Sequence, residues 1–254
     1  MKLIRQALKI SVKKMTAYPN EIWMVFVYAL LSLVTTVLFW KILFSNLTSF
    51  GYGQDFIYTL AILGLLSDGI SELFFGLRAF EQLVREGTLD AYLYRPRNTL
   101  CMVLLERIPL VAFLGKSLLG VAGLAVVALR FHLHFSPGRV LAAMVFLLVG
   151  VVYYQILYGT VTWFSLWMEH ISQIRDLLFQ FSDSKKYPLT IFPRALQKFL
   201  TYIVPMSLMA FYPTMILTGR GGALPKLYLA LPAAALLSVL LYRYGMKQYA
   251  SNGG

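Results

Sequence analysis

Charge is scarce in this 254-residue chain: Asp, Glu, Lys and Arg make up 13% of it, where soluble domains carry about 25%. Acids are the scarcer sign, 11 against 23 Lys and Arg, and there are only three histidines. Interfacial enzymes such as lipid-headgroup transferases cluster carboxylates or histidines to hold a metal or move protons. Acids and histidines scattered as they are here do not supply that. The pair His132 and His134, in the stretch HLH, reads as interfacial polar residues. Cysteine occurs once, at Cys101, which excludes an intrachain disulfide and a CxxC metal site. With no His or Asp beside it in sequence, Cys101 reads as a buried apolar thiol. No GxxxxGK[ST] segment is present, so the chain does not hold ATP through a P-loop; HExxH and GxSxG are missing too.

What the chain has is apolar length. It is 59% hydrophobic, with a mean hydropathy of +0.68. These values describe an integral membrane protein, with room for about six spans and short loops but not for a large soluble domain. The net charge of +12 would suit nucleic acid. The basic residues, however, sit in short segments beside apolar runs, as charges held at the cytoplasmic membrane face do, so no nucleic-acid partner is expected. The chain reads as one transmembrane domain over 1–254, all-α, without internal repeats.

Residues 1–20 form a basic amphipathic helix, with Leu3, Ile4, Ala7, Leu8, Val12 and Met15 on one face and Lys2, Arg5, Gln6, Lys9 and Lys13 on the other. Such a helix lies in the headgroup plane. The apolar run that follows is too long for a signal-peptide core. Spans are expected at 22–44, 56–77, 108–129 (extended towards Thr99), 140–163 and 227–242. Between 164 and 222 the pattern is broken by Pro188, Pro193, Pro205 and Pro213, each of which removes a backbone donor. Two readings stand. In the first, a short fifth span near 171–186 leads into an external re-entrant helical hairpin at 189–217. In the second, 169–198 is a cytoplasmic loop and 199–217 is the fifth span. Basic residues number five in 1–20, four in 78–98 and two in the tail, against one in 41–55 and two in 130–139. Both termini and 78–98 are therefore expected to be cytoplasmic. The first reading leaves Lys185, Lys186, Arg194 and Lys198 outside, which is the argument for the second.

The stretch 78–98, RAFEQLVREGTLDAYLYRPRN, organises the rest. Phe80, Leu83 and Val84 share a helical face, and Glu81, Arg85 and Glu86 fall off it. Gly87 suits the left-handed end of that helix. Thr88 can cap a second short helix, with Leu89, Tyr92 and Leu93 as its apolar stripe and Asp90 in its first turn, and Pro96 stops it. Such a unit between two spans offers a compact face to a soluble partner. Within the spans, Asp68 and Glu72 are one turn apart, and Lys116 falls at a depth similar to Asp68, which predicts an ion pair between neighbouring helices. Charges at this depth are expensive and usually functional, so a place for Asp68, Glu72 and Lys116 in a transport path is the sharper alternative.

With these residues in view, the chain resembles the membrane subunits of type-2 ABC exporters, and more narrowly those permeases whose loop reads R-x-G-x-L-D-x-x-L-x-R-P. Here that is Arg85, Gly87, Leu89, Asp90, Leu93, Arg95 and Pro96. Lys186 to Pro193, KYPLTIFP, fits the same group's YPL-x-[IV]-[FY]-P segment, and the carboxyl end at Tyr249, Ala250 and Ser251 fits loosely. The resemblance implies an interfacial amino-terminal helix and a coupling helix between spans two and three. It also implies re-entrant helices between spans five and six, and a separate ATPase that binds ATP and Mg. Coupling to it would fall on Phe80, Glu81, Val84, Arg85, Gly87, Thr88, Leu89, Asp90 and Arg95. Tyr187, Phe192, Tyr202 and Tyr212 are the substrate-path candidates. One chain would be half of the translocation unit, working as a homodimer or with a sister permease in the lipid of the inner (plasma) membrane. The chain would hold no cofactor and catalyse no covalent step. The rivals are a secondary transporter using Asp68, Glu72 and Lys116 as a proton relay, and a membrane scaffold.

Overall fold

Long apolar segments with few breakers leave the backbone one way to satisfy itself in lipid, which is helix. In the computed structural model every regular element among the described residues is helical, and the protein is an all-α membrane protein. The described residues are 9, 11–13, 15–17, 19–46, 51–168, 171–220 and 230–249. Lys2 to Leu8 of the amphipathic helix, Glu169, His170, the approach 221–229 to the last span, Ala250 and Ser251 lie outside them.

The chain runs through α1 (Pro19–Asn46), α2 (Gln54–Ser71), a 3-10 turn (Glu72–Phe74), α3 (Phe75–Arg85), α4 (Asp90–Leu93) and α5 (Thr99–Glu106). There follow α6 (Leu110–Arg130), α7 (Pro137–Trp163), α8 (Ser172–Ser182), α9 (Arg194–Lys198), α10 (Met206–Met209), α11 (Phe211–Leu217) and α12 (Leu231–Gln248). Among the described residues, four helical stretches are long and apolar enough to cross a membrane: Ile22–Phe44, Gln54–Arg85, Leu110–Arg130 and Pro137–Leu166. A fifth is reached if Arg194–Ile203 and Met206–Leu217, bent by 70° at their junction, count as one broken span.

α2 packs along α6, and α7 is the hub for α10, α11 and α12. The core joins Phe56, Leu60 and Leu63 of α2 to Leu147, Val151 and Tyr158 of α7 and to Met206, Met209 and Phe211 of the bent pair. α1 is the outlier, with Trp23, Val27, Leu31 and Leu38 exposed as on a lipid-facing helix. Gln54–Arg85 has 32 residues. At 1.5 Å each it is about 48 Å long, well over a hydrocarbon core of about 30 Å. One end of the bundle, here the near end, therefore carries residues 85–98 clear of the spans; Arg130 and Ser136 mark the far end. Ser11 donates to the Ile108 carbonyl and Trp167 to Gln248, so the amino-terminal helix and the end of α12 also lie at the near end.

Three sequence expectations change. The segment 172–186 is an eleven-residue helix and a four-residue 3-10 turn, which together rise about 25 Å and fall short of a full crossing. Lys185, expected outside in one reading and in a loop in the other, is buried within the bundle, because Asp68 meets it. Cys101 is exposed rather than buried, since α5 turns it away from the core.

Candidate functional site

The segment 75–98 is built from one helix with a sharp stop. Phe80, Leu83 and Val84 are buried, with Phe80 edge-on to Trp163 at 5.1 Å and against Tyr242 at 6.2 Å. Gly76 presses on α5: a Cβ there would lie 2.6 Å from the Val103 carbonyl oxygen, so no larger residue fits. Gly87 ends the helix at φ +67°, a region that L side chains rarely enter. Its N–H donates to the Val84 carbonyl at 3.2 Å, and the Leu89 N–H donates to Leu83 at 3.1 Å. These bonds use up helix-end acceptors and seat Leu89 in the core.

Two details depart from the sequence reading. Thr88 does not cap α4; the cap position is Leu89, without a side-chain bond, because the backbone bonds after Gly87 already occupy the turn. Glu81 does not face solvent. It is 2% exposed and ion-paired to Arg175 of α8, which also donates to the Arg78 carbonyl at 3.3 Å. Open to the surroundings are Arg85, Glu86, Thr88, Ala91, Leu93 and Tyr94, the last 87% exposed, and the turn 95–98 that follows. Arg95 lies over the Tyr92 ring at 5.4 Å and pairs with Glu106 at 2.7 Å, tying the segment to α5. Asp90 is half-buried.

A second cluster lies at mid-bundle. Glu72 accepts from Lys116 at 2.6 Å, and Asp68 is 2.7 Å from Lys185. The expected Asp68–Lys116 pair is thus replaced by two pairs, one helical turn apart. Lys185 also donates to the Ser182 carbonyl at 2.9 Å, and Lys186 pairs with Asp183 at 2.7 Å. Asp68, Glu72, Arg78, Lys116, Asp183 and Lys186 line a cavity of about 100 Å³, room for several waters and too small for an amphiphile. Opposite charges meeting at this depth fasten helices together.

Over this geometry, a family model described as ABC-2 family transporter protein matches residues 30–253. The chain belongs to the ABC-2 transporter family. It is a multi-pass membrane protein and a permease component of an ABC transporter, a family whose membrane subunits partner an ATPase. No curated protein matches it in sequence.

In this permease the four substrate-path candidates divide. Tyr187 rests on α1, 6.0 Å from Phe39 and 5.9 Å from Trp40. Tyr212 packs edge-on to Phe211 at 5.5 Å, whose ring also meets Tyr52 and Phe56 at the far end. Tyr202 is exposed and Phe192 half-buried. Sequence reasoning missed Arg175, Lys185 and Tyr94. Arg175 and Lys185 carry no local signal, because their partners lie far off in the chain. Tyr94 had one, an aromatic beside the charged Arg95-Pro96-Arg97 turn.

Proposed function

We propose that this permease is half of an ATP-driven exporter and that residues 85–98 are where the ATPase docks. The observation carrying the proposal is the segment's division of labour. Phe80, Val84 and Leu89 are buried and hold it to the bundle, while Arg85, Thr88, Leu93 and Tyr94 stand open beyond the spans. An ATPase that binds ATP and Mg would grip this surface, and closure of two such subunits would pull on α3. A second permease, identical or related, would complete the pathway.

Orientation follows from charge. Lys9, Lys13, Arg85, Arg97, Arg107, Arg243 and Lys247 gather towards the near end, which makes that end cytoplasmic by the positive-inside rule. The inner (plasma) membrane is then the expected home, with both termini cytoplasmic. The bent pair favours the re-entrant reading. Phe199 meets Phe181 at 5.6 Å, Tyr187 meets α1 near its far end, and Arg220 pairs with Asp55 at 3.0 Å. The chain from 187 to 220 is thus supported from mid-bundle to the far end, where a re-entrant element would sit.

The test is to isolate the complex from the native membrane and measure nucleotide-driven flux in inside-out vesicles. An ATPase chain that co-purifies and is lost on Tyr94→Ala with Leu93→Ala supports the docking surface. Flux driven by a proton gradient with no ATPase bound would point to a secondary transporter through Asp68, Glu72 and Lys116 instead.

A further inference from the structure

A groove between three helices lies away from both sites. α1, α2 and α6 enclose about 590 Å³ at the far end, lined by Leu33, Val37, Ile62, Ala122, Gly123 and Val126. That volume falls within the roughly 300–1,000 Å³ of small-molecule sites. The lining is apolar along its length and changes at one end, where Lys41, Gln54, Tyr58 and Arg130 form the mouth. No acid lines the groove among the described residues. The nearest in sequence, Asp55, is already paired with Arg220 at 3.0 Å, and residues 45–50, SNLTSF, contain none. Lys41 and Arg130 are exposed and enter no ion pair among the described residues.

Length fits the same picture. From Leu33 to Lys41 the helix rises about 12 Å, and from Leu119 to Arg130 about 16 Å, close to half of a hydrocarbon core of about 30 Å. The groove is therefore one leaflet deep, with its two cations at headgroup level. We propose that it binds a membrane lipid with an anionic headgroup, one acyl chain lying along Val37, Ile62 and Ala122 and the acidic group held between Lys41 and Arg130. Gln54 and Tyr58 can donate to the same oxygens. The site is separate from the docking surface and from the charge cluster, and the proposal does not depend on how transport is driven.

Delipidated full-length protein in detergent is incubated with equal amounts of phosphatidylglycerol and phosphatidylcholine carrying the same acyl chains. Retained lipid is then extracted and counted by mass spectrometry. With two cations facing one anionic headgroup, phosphatidylglycerol should be enriched about tenfold. Lys41→Gln with Arg130→Gln should bring the ratio to about one while the protein still elutes as a single folded species. Arg139→Gln, at the same end but off the groove, should leave the ratio unchanged. Ala122→Trp, at an exposed helix position, should lower retention of both lipids. Enrichment that survives the double substitution, or that Arg139→Gln removes equally, overturns the proposal in favour of general surface charge. A self-cross-link through Ala122→Cys in a Cys101→Ser background also overturns it, since a second copy of the chain would then occupy the groove.

Discussion

Replacing Arg175 by Met should strand a buried carboxylate at the root of the docking segment. Glu81 has one oxygen bonded to Arg175, and its other, Oε1, has no donor among the described residues. The guanidinium is therefore the main compensation for that charge. Removing one member of a buried pair costs about 3–5 kcal/mol. The Arg175 side chain is 19% exposed and near the end of the bundle, so we expect the lower part of that range, about 3 kcal/mol, or roughly a hundredfold in the folding equilibrium. Glu81→Gln keeps the shape and one acceptor and should cost about 1–2 kcal/mol. The double variant should cost less than the sum, with a coupling of about 1–3 kcal/mol. Tryptophan fluorescence, to which Trp163 against Phe80 at 5.1 Å contributes, follows the transition during titration with a denaturing detergent in mixed micelles. Single effects that add to within about 0.5 kcal/mol would refute the argument, because pairs that do not interact behave that way.

Gly87→Val should leave insertion intact but cost about 1–2 kcal/mol locally through the left-handed backbone and abolish co-purification of the ATPase; unchanged ATP-driven flux would dismiss the docking assignment. Asp68→Asn should lower the folded yield on size-exclusion chromatography by leaving Lys185 buried without its carboxylate, and Asp68→Asn with Lys185→Met should restore it. In a Cys101→Ser background, Arg194→Cys should react with an impermeant thiol reagent added outside intact cells; labelling only after the inner face is opened would favour a cytoplasmic loop.

The helical stripe of Phe80, Leu83 and Val84 was legible because period 3.6 is a local property, and the stop at Gly87 because only glycine enters its conformation cheaply. The prolines marked the irregular region, and Pro205 sits at the bend itself. Depth was less legible. Counting residues along two straight helices puts Lys116 opposite Asp68, yet it bonds Glu72, four residues on, or about 6 Å. The 3-10 turn at Glu72–Phe74 and the break between Glu106 and Leu110 account for the offset, since neither has the rise of an α-helix. Partners were not legible at all. Arg175 is 94 positions from Glu81, and hydropathy assigns a charge to a side of a helix without naming what meets it there.

The two pairs that sequence could not name have a shared consequence. Arg175 at one end of α8 holds Glu81, and Lys185 just past the other end holds Asp68. Both carboxylates belong to the same continuous rod, about 20 Å apart along it. Sliding α8 by one turn against that rod would leave a carboxylate or an ammonium without its partner in low dielectric, at several kcal/mol each. The hypothesis that follows is that a pull on residues 85–98 moves α3, α2 and α8 as one body, and that Tyr187 and the bent pair follow because the turn Asp183–Lys186 joins them to α8. Spin labels test it in a Cys101→Ser background. The distance from Gln82→Cys to Gln173→Cys should stay constant between nucleotide-free and ATP-bound complexes, while that from Gln82→Cys to Leu237→Cys on α12 changes. A change in the first distance as large as in the second would show that α8 slips, and the fastenings would then be packing features without a part in coupling.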